Sequence, residues 1–272
     1  KIVKIGDLAD VEAKLTIDAK DKIVSPGFID MHTHSDLSLI YDVRACSRIY
    51  DGVTTQVIGN CGIGVAPICD ERKDQLLAYL GTRYVGSIPV KLQLPWNSMN
   101  DYLHQLEKNI TATNVSALVA QGAIRINEMG FEKALPTKEQ MDSMKAQVRK
   151  AMEEGCVGMS SGLVYMPGEF TTTDELVELC TEIAPFGGFY VSHIRSESDD
   201  LFQALEEAIT IATKGGIPLH ISHLKLSGPK VAGRTDEVFE LFDKAQANGL
   251  DLSFDVYPYS AAMTSLGACI SP

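Results

Sequence analysis

The sequence predicts an α/β protein, a (β/α)8 barrel of the TIM type that stops before its eighth strand. Three observations lead to this fold: seven short runs of apolar and small residues recur along the chain, helix-like stretches separate most of them, and chemically active residues follow several runs. Apolar strands that alternate with amphipathic helices are typical of a parallel sheet with crossover connections. Such barrels keep their chemistry at the carboxyl ends of the strands.

The seven predicted strands share a composition rich in Val, Ile and small residues. A doubly wound open sheet is the alternative, but no glycine-rich phosphate loop follows the first strand. The dispersal of chemical residues over several strand ends favours the barrel. The runs are GFIDMHTH (27–34), TTQVIGN (54–60), VSALVAQG (115–122), GCVGMSSG (155–162), GFYVSHIR (188–195), IPLHISHL (217–224) and LSFDVYPY (252–259).

The predicted helices open with a Thr or Asp cap and end at Gly, which are common helix boundaries. Four such stretches are TKEQMDSMKAQVRKAMEEG, TTDELVELCTEIAPFGG, DDLFQALEEAITIATKGG and TDEVFELFDKAQANG. They supply the crossover connections between the later strands.

The first residues show a different pattern of polarity. Residues 1–24 alternate in polarity and contain turn signals at Gly6–Asp7 and Lys20–Asp21, which predicts short antiparallel strands. We therefore expect part of a small β-sandwich domain over 1–24 and the barrel over 25–272. Because the chain starts without Met and stops after a strand-like run, we also expect sequence missing at both ends.

The composition narrows the class of partner. The 272 residues carry a formal net charge of −12, which argues against nucleic acid or an anionic membrane as the main partner. No apolar run approaches the ~20 residues that span a bilayer, and no signal-peptide pattern opens the chain. These features indicate a cytoplasmic protein that acts on a small molecule; they carry no signal for an oligomeric state.

Five metal-ligating residues follow four of the predicted strands. His32 and His34 lie two positions apart, so their side chains share one side of the first strand. Cys61, His193 and His223 end the second, fifth and sixth strands. Zinc prefers nitrogen and sulfur ligands, and a catalytic zinc keeps one position open for water. Five ligands exceed that need, which indicates either two metals that share Cys61 or one tight site beside a weak or vacant one.

The other histidines and cysteines are expected to be structural. His220 lies an odd number of positions from His223, which predicts a packed or supporting histidine, and His104 falls in a helical stretch and is expected at the surface. Small buried hydrophobes are expected at Cys46, Cys69, Cys156, Cys180 and Cys269.

Six motifs carry a resemblance to a known family. GFIDMHTHSD, GVTTQVIGNCGIGVAP, GMSSGLVYMPG, YVSHIRSE, HISHLKLSG and FDVYPY occur in this order. Together they resemble the N-acyl-D-amino-acid deacylases, or D-aminoacylases, of the amidohydrolase superfamily. The first motif alone is general to the superfamily, whereas GNCG, SHIRSE and SHLK together are specific. The resemblance extends from about Ile5 to the end of the chain.

The resemblance implies a zinc held tightly by Cys61, His193 and His223, and a second, weaker metal position near His32, His34 and Cys61. Related barrels bridge two metals with a carboxylated Lys from the fourth strand. The run GCVGMSSG has no Lys, so the thiolate is the expected substitute. A dihydroorotase-like enzyme would carry Arg two residues after the His pair, where this chain has Asp36.

Three residues are predicted to bind the substrate. The resemblance implies that Tyr165 donates a hydrogen bond to the oxyanion, the alternative being a packed loop aromatic. Lys225 and Arg195 each follow a predicted ligand by two positions, and such cations suit the carboxylate of an acylated amino acid. For Arg195 an ion pair with Glu197 or another wall residue is the alternative.

The general base is the residue that the sequence does not identify. The resemblance implies an Asp at the end of the eighth strand, beyond Pro272. Asp255 in FDVYPY is a weaker candidate for this role, and Asp30 is expected to orient a ligand imidazole or to act itself.

The resemblance implies zinc-dependent hydrolysis of the amide bond of N-acyl-D-amino acids, which yields a carboxylate and a free D-amino acid. A bound zinc would polarise the amide carbonyl and lower the pKa of a bound water. Two alternatives remain open: a cyclic-amide hydrolase of the hydantoinase or dihydroorotase type, and an inactive metal-binding fragment that lacks the catalytic Asp.

Overall fold

Seven parallel strands form one sheet in the computed structural model, which describes residues 2–83 and 93–264. Each strand pairs in parallel with the next strand in the chain, so that the sequence order is also the order in the sheet. The strands are β1 (Phe28–Asp30), β2 (Val53–Ile58), β3 (Asn114–Ala120), β4 (Gly158–Gly162), β5 (Phe189–His193), β6 (Leu219–Ile221) and β7 (Leu252–Phe254).

The sheet curls until its two outer strands approach each other at their carboxyl ends. Nδ1 of His32, just after β1, lies 3.3 Å from Oδ2 of Asp255, just after β7. A flat sheet of seven strands would hold these atoms far apart, because neighbouring strands are spaced by about 4.8 Å. The curled parallel order confirms the predicted TIM-type barrel, with seven strands among the residues described.

Helices occupy every connection between consecutive strands, as the alternating pattern predicts. They are α1 (Ser38–Tyr41), α2 (Cys46–Tyr50), α3 (Lys73–Arg83), α4 (Met99–Asn109), α5 (Gln121–Met129), α6 (Lys138–Glu153), α7 (Thr173–Thr181), α8 (Leu201–Gly215) and α9 (Thr235–Ala247).

The four helices named from the sequence form, but their caps differ. Thr137 and Thr172 accept hydrogen bonds from backbone N–H groups in the first turns of α6 and α7. Asp200 precedes α8 without a side-chain cap bond, and α9 begins after Arg234 rather than at a capping Thr. These two helices are stabilised by packing, since each buries an apolar stripe such as Leu201, Leu205 and Ile211 in α8.

Residues 2–27 contain neither a strand nor a helix, so the strands predicted within 1–24 are wrong for the part described. Alternating apolar side chains such as Val3, Ile17 and Ile23 are exposed there. Short strands of this kind need partner strands and a packed face to become stable. The assignment of this segment to a β-sandwich domain stays a prediction.

None of the helices in the described part of the chain combines the length and the apolar character needed to cross a bilayer.

Candidate metal centre

The five predicted metal ligands converge at the carboxyl ends of the strands. Their ligand atoms form two groups that share Cys61, and within each group the atoms lie within 4.8 Å of one another. One group contains His32, His34 and Cys61, and the other contains Cys61, His193 and His223. The structure therefore brings together the residues that the sequence singled out, in the two sets that the resemblance implies.

Cys61 reaches this position through an unusual backbone. It lies in the left-handed region with φ of 54°, between Gly59 at 78° and Gly62 at 65°. Non-glycine residues adopt this region at a cost, so the surrounding structure must hold it. The Cys61 carbonyl oxygen packs so closely against Gly162 of β4 that a Cβ at that position would overlap it.

Hydrogen bonds from two neighbouring side chains hold this loop. The Ser160 hydroxyl accepts a hydrogen bond from the backbone N–H of Gly62 at 2.9 Å and donates one to the carbonyl of Gly59. The Asn60 amide donates to the carbonyl of Val57 at 3.0 Å. The sequence GNCG thus supplies both the glycines that permit the turn and the amide that anchors it, and the thiol is held 3% exposed.

His223 has a second left-handed backbone, with φ of 37°. It lies two residues beyond the end of β6, so the turn rather than the strand directs its ring. Its backbone N–H donates to Oδ1 of Asp255 at 2.8 Å, and its Nε2 lies 3.6 Å from Sγ of Cys61. A side chain after β7 therefore fixes a candidate ligand after β6.

These atoms fit a tetrahedral zinc. With zinc–sulfur and zinc–nitrogen bonds near ~2.3 and ~2.05 Å, tetrahedral ligands are separated by about 3.5 Å. The separation of Cys61 Sγ from His223 Nε2 is 3.6 Å, and that from His32 Nε2 is 3.3 Å. The donor set of one thiol and several imidazoles is the kind that zinc prefers.

His193 is the most enclosed of the candidate histidines. It is 8% exposed, and its ring lies 4.4 Å from that of His223, centroid to centroid. Burial, together with the nearby His223, lowers the pKa of the His193 imidazole to about 3. The ring is therefore neutral at pH 7, which is the form that binds a metal. Its buried Nδ1 has no hydrogen-bond partner within the described part of the chain.

Glu197 supports the same group and was not assigned a metal-site role from the sequence. Its Oε1 lies 2.9 Å from Nδ1 of His223 and accepts a hydrogen bond from Nζ of Lys225 at 2.6 Å. Burial raises the pKa of Glu197, but its hydrogen bond with His223, the nearby His193 and the ammonium of Lys225 lower the pKa to about 2. An acidic residue four positions after a candidate ligand, in SHIRSE, is the signal that indicates this role.

Asp255 contacts both groups of ligands. Its Oδ2 lies 2.9 Å from Nε2 of His220 and 3.3 Å from Nδ1 of His32. Although burial raises the pKa of Asp255, hydrogen bonds with His220 and His32 hold the pKa well below its usual range. A carboxylate with these partners is better suited to orienting histidines than to abstracting a proton. His220 is the supporting histidine expected from the sequence.

Two of the three predicted substrate residues lie beside the candidate metal centre. The ring of Tyr165 lies 5.0 Å from that of His193, and its hydroxyl is 3.0 Å from Oγ1 of Thr264. Nζ of Lys225 lies 2.9 Å from Nδ1 of His223. Both side chains therefore lie against candidate ligands, and their contact with a substrate stays a prediction.

Arg195 forms an ion pair within the barrel wall, which is the alternative considered from the sequence. Its guanidinium donates twice to Glu207, from Nε and from a terminal nitrogen, each at 2.9 Å, and to the carbonyls of Glu169 and Thr171, also at 2.9 Å. Four of its five N–H donors are thus used inside the wall of the barrel. The ion pair is with Glu207, another residue of the wall, rather than with Glu197.

Other side chains differ in part from expectation. Asp30 accepts from the backbone N–H of His32 at 3.1 Å, so it orients the chain at His32 rather than an imidazole. Cys156 and Cys180 are buried as expected, and His104 is exposed. The prediction is wrong for Cys46, which is exposed at the start of the short helix α2, and for Cys69, which is half-buried in the connection after β2. Cys269 lies outside the described residues.

Comparison with known proteins agrees with this geometry. The model of the Amidohydrolase family matches residues 15–266. A D-aminoacylase from Alcaligenes xylosoxydans xylosoxydans is 35% identical over 266 residues, which are 98% of this chain and 53% of that relative. The chain thus spans about half the length of the curated relatives that it matches.

Two solved structures of similar proteins superpose closely on the fold. A D-aminoacylase structure, from work on one-metal activation and second-metal attenuation at its binuclear centre, has a TM-score of 0.83 and 34% identity, covering 95% of this chain and 52% of that chain. An N-acyl-D-glutamate deacylase from Bordetella bronchiseptica, complexed with zinc and a phosphonate inhibitor, has a TM-score of 0.83 and 32% identity, covering 94% and 52%.

Proposed function

Because the chain belongs to the amidohydrolase family, we propose that it forms the zinc-binding part of an enzyme that hydrolyses N-acyl-D-amino acids. The products are a carboxylate and a free D-amino acid. The observation that carries the proposal is the convergence of the Cys61 thiol with the imidazoles of His193 and His223 at the strand ends. A relative of 35% identity that is a D-aminoacylase supports the substrate class.

Cys61, His193 and His223 would hold the tight zinc, and His32 and His34 would complete a weaker position with Cys61. Bound zinc supplies a Lewis acid that polarises the amide carbonyl and makes water a better nucleophile. The rest of the chemistry belongs to side chains, which bind the substrate, hold the ligands and move protons.

Lys225 is proposed to attract the α-carboxylate of the substrate. Its ammonium lies beside the candidate ligand His223. In a chain with a net charge of −12, an anionic substrate needs such a local positive group. Nζ also lies 5.4 Å from the ring centre of Tyr257, which helps to hold the flexible side chain. A carboxylate bound here would place its acylated nitrogen near the candidate ligands.

Tyr165 is proposed to donate its hydroxyl hydrogen to the carbonyl oxygen as negative charge develops there. During hydrolysis a water oxygen adds to the carbonyl carbon, the carbon–nitrogen bond breaks, and a proton passes to the leaving amine. Asp255 is engaged with His32 and His220, so we keep the prediction of a base at the end of an eighth strand.

The test is a hydrolysis assay on the purified, zinc-loaded protein together with elemental analysis for zinc. We expect acetate release from N-acetyl-D-methionine or N-acetyl-D-glutamate, with the L-enantiomers as matched controls. Ring opening of dihydrouracil without deacylation would support a cyclic-amide hydrolase instead. Stoichiometric zinc without any turnover would support the inactive metal-binding alternative.

A further inference from the structure

His223 has two neighbours of opposite character at the same ring nitrogen. Its Nδ1 lies 2.9 Å from Oε1 of Glu197 and 2.9 Å from Nζ of Lys225. These two groups also contact each other at 2.6 Å. At the other side of the ring, Nε2 faces Sγ of Cys61 at 3.6 Å.

The two neighbours favour different tautomers of the imidazole. A neutral imidazole carries one proton, on either Nδ1 or Nε2. If Lys225 donates to Nδ1, the proton must lie on Nε2, where it points toward Cys61 and leaves no lone pair for a metal. If Nδ1 donates to Glu197, the lone pair of Nε2 faces Cys61 and is ready for a metal.

We propose that Glu197 is a positioning residue that selects the metal-binding tautomer of His223 and keeps Lys225 from imposing the other one. The inference rests on the proposed function, because it concerns the same zinc ligands. A carboxylate is an acceptor only, so Oε1 of Glu197 can accept the hydrogen of Nδ1 beside that of the ammonium. With its proton on Nδ1, the imidazole has no lone pair there for Lys225 to donate to, and the ammonium keeps its hydrogen bond to Glu197 at 2.6 Å.

Partial burial and short distances allow the Glu197 carboxylate to influence its neighbours. The Glu197 side chain is 20% exposed, and that of Lys225 is 22% exposed, so water competes only in part for their hydrogen bonds. Glu197 Oε1 also lies 3.9 Å from Nε2 of His193. One oxygen atom thus faces both histidines of the tight group and the cation proposed to bind substrate.

The experiment measures zinc affinity by competition with a chromophoric chelator. Loss of a residue that orients a metal-binding histidine weakens metal binding by about 10–100-fold, and we expect this for Glu197→Ala. Lys225→Met should bind zinc like the wild type. The double variant Glu197→Ala/Lys225→Met should recover much of the lost affinity, because no donor then forces the proton onto Nε2.

Glu207→Ala is the matched control. Glu207 pairs with Arg195, two positions after His193, as Glu197 pairs with Lys225, two positions after His223. Its loss removes a comparable ion pair from the barrel wall. Thermal unfolding of each variant shows whether a change in affinity merely follows a loss of folding.

A second measurement reads the tautomer directly in the metal-free protein. The ¹⁵N shifts of the His223 ring should place the proton on Nδ1 in the wild type and on Nε2 in folded Glu197→Ala. The inference is overturned if the tautomer does not change, if Glu197→Ala binds zinc no more weakly than Glu207→Ala, or if the double variant stays as weak as Glu197→Ala. Failure of the wild type to bind zinc would instead defeat the proposed function, and the ring shifts would still test Glu197.

Discussion

Asp255 joins the two ends of the sheet, because its Oδ2 lies 3.3 Å from Nδ1 of His32 while its Oδ1 accepts the backbone N–H of His223 at 2.8 Å. His32 belongs to one candidate group of metal ligands and His223 to the other. One carboxylate after β7 therefore holds residues that follow β1 and β6. Each candidate metal position depends on it in a different way.

We expect Asp255→Asn to weaken the position at His32 more than the position at His223. The asparagine oxygen can still accept the N–H of His223, whereas its amide group is a poor partner for the N–H donors of His32 and His220. Loss of such a partner weakens metal binding by about 10–100-fold. Stepwise zinc titration by calorimetry separates the two positions.

Ser253→Ala is the control for this substitution. Ser253 contacts Nδ1 of His220 at 2.8 Å, so its removal disturbs the support of Asp255 without touching a candidate ligand. If Asp255→Asn leaves the weaker position unchanged relative to Ser253→Ala, the carboxylate does not orient His32.

Gly162→Ala should destabilise the protein and displace the Cys61 loop. An added Cβ would overlap the Cys61 carbonyl oxygen, and backbone cannot move aside as a flexible side chain can. Overpacking of this kind costs about 1–3 kcal/mol of unfolding free energy. Gly81→Ala in α3 meets open space and should leave the stability equal or higher. Equal melting temperatures for both variants would contradict the close packing at Cys61.

A buried ion pair away from the metal centre should matter for stability alone. Arg125 of α5 and Glu175 of α7 have side chains that are 0% and 1% exposed and approach within 2.6 Å. Glu175→Gln leaves the guanidinium without its charge partner, which costs about 3–5 kcal/mol. Chemical denaturation measures this loss, and zinc affinity should not change.

The exposed pair Lys138–Asp142 provides the comparison. Its side chains are 83% and 58% exposed, so water and salt screen the attraction. Asp142→Asn should therefore barely move the denaturation midpoint. A loss of stability as large as that for Glu175→Gln would show that burial does not explain the cost of breaking the Arg125–Glu175 pair.

Tyr165→Phe should lower kcat for an N-acyl-D-amino acid by about 10²–10³-fold with little change in KM, since the hydroxyl is proposed to act on charge that develops during reaction. Zinc affinity should stay that of the wild type, because the tyrosine packs beside His193 through its ring. An unchanged kcat would indicate that Tyr165 is a packed aromatic without a role in the reaction.

The fold and the candidate ligands were predictable because both leave local signals. Apolar runs fix the strands, and ligands placed at the ends of parallel strands must meet at one edge of the sheet. Side chains two positions apart share a face only within a strand, and His223 and Lys225 lie beyond the end of β6 at Ile221. The two side chains meet through a turn with a left-handed residue.

The supporting carboxylates were harder to predict because their contacts depend on the assembled barrel. Asp255 contacts His32 across 223 positions of sequence, and Glu197 contacts His223 across a loop after a different strand. Neither distance follows from periodicity. The role of Arg195 was left open for the same reason, since its partner Glu207 lies in the following helix, α8.

X-ray absorption at the zinc edge tests the central claim most directly, because it reports the atoms bound to the metal in the zinc-loaded protein. We expect a shell with one sulfur at about 2.3 Å beside nitrogen or oxygen atoms at about 2.0–2.1 Å, and loss of the sulfur in Cys61→Ser. A wild-type spectrum without sulfur, or one that Cys61→Ser leaves unchanged, would contradict a zinc held by Cys61, His193 and His223.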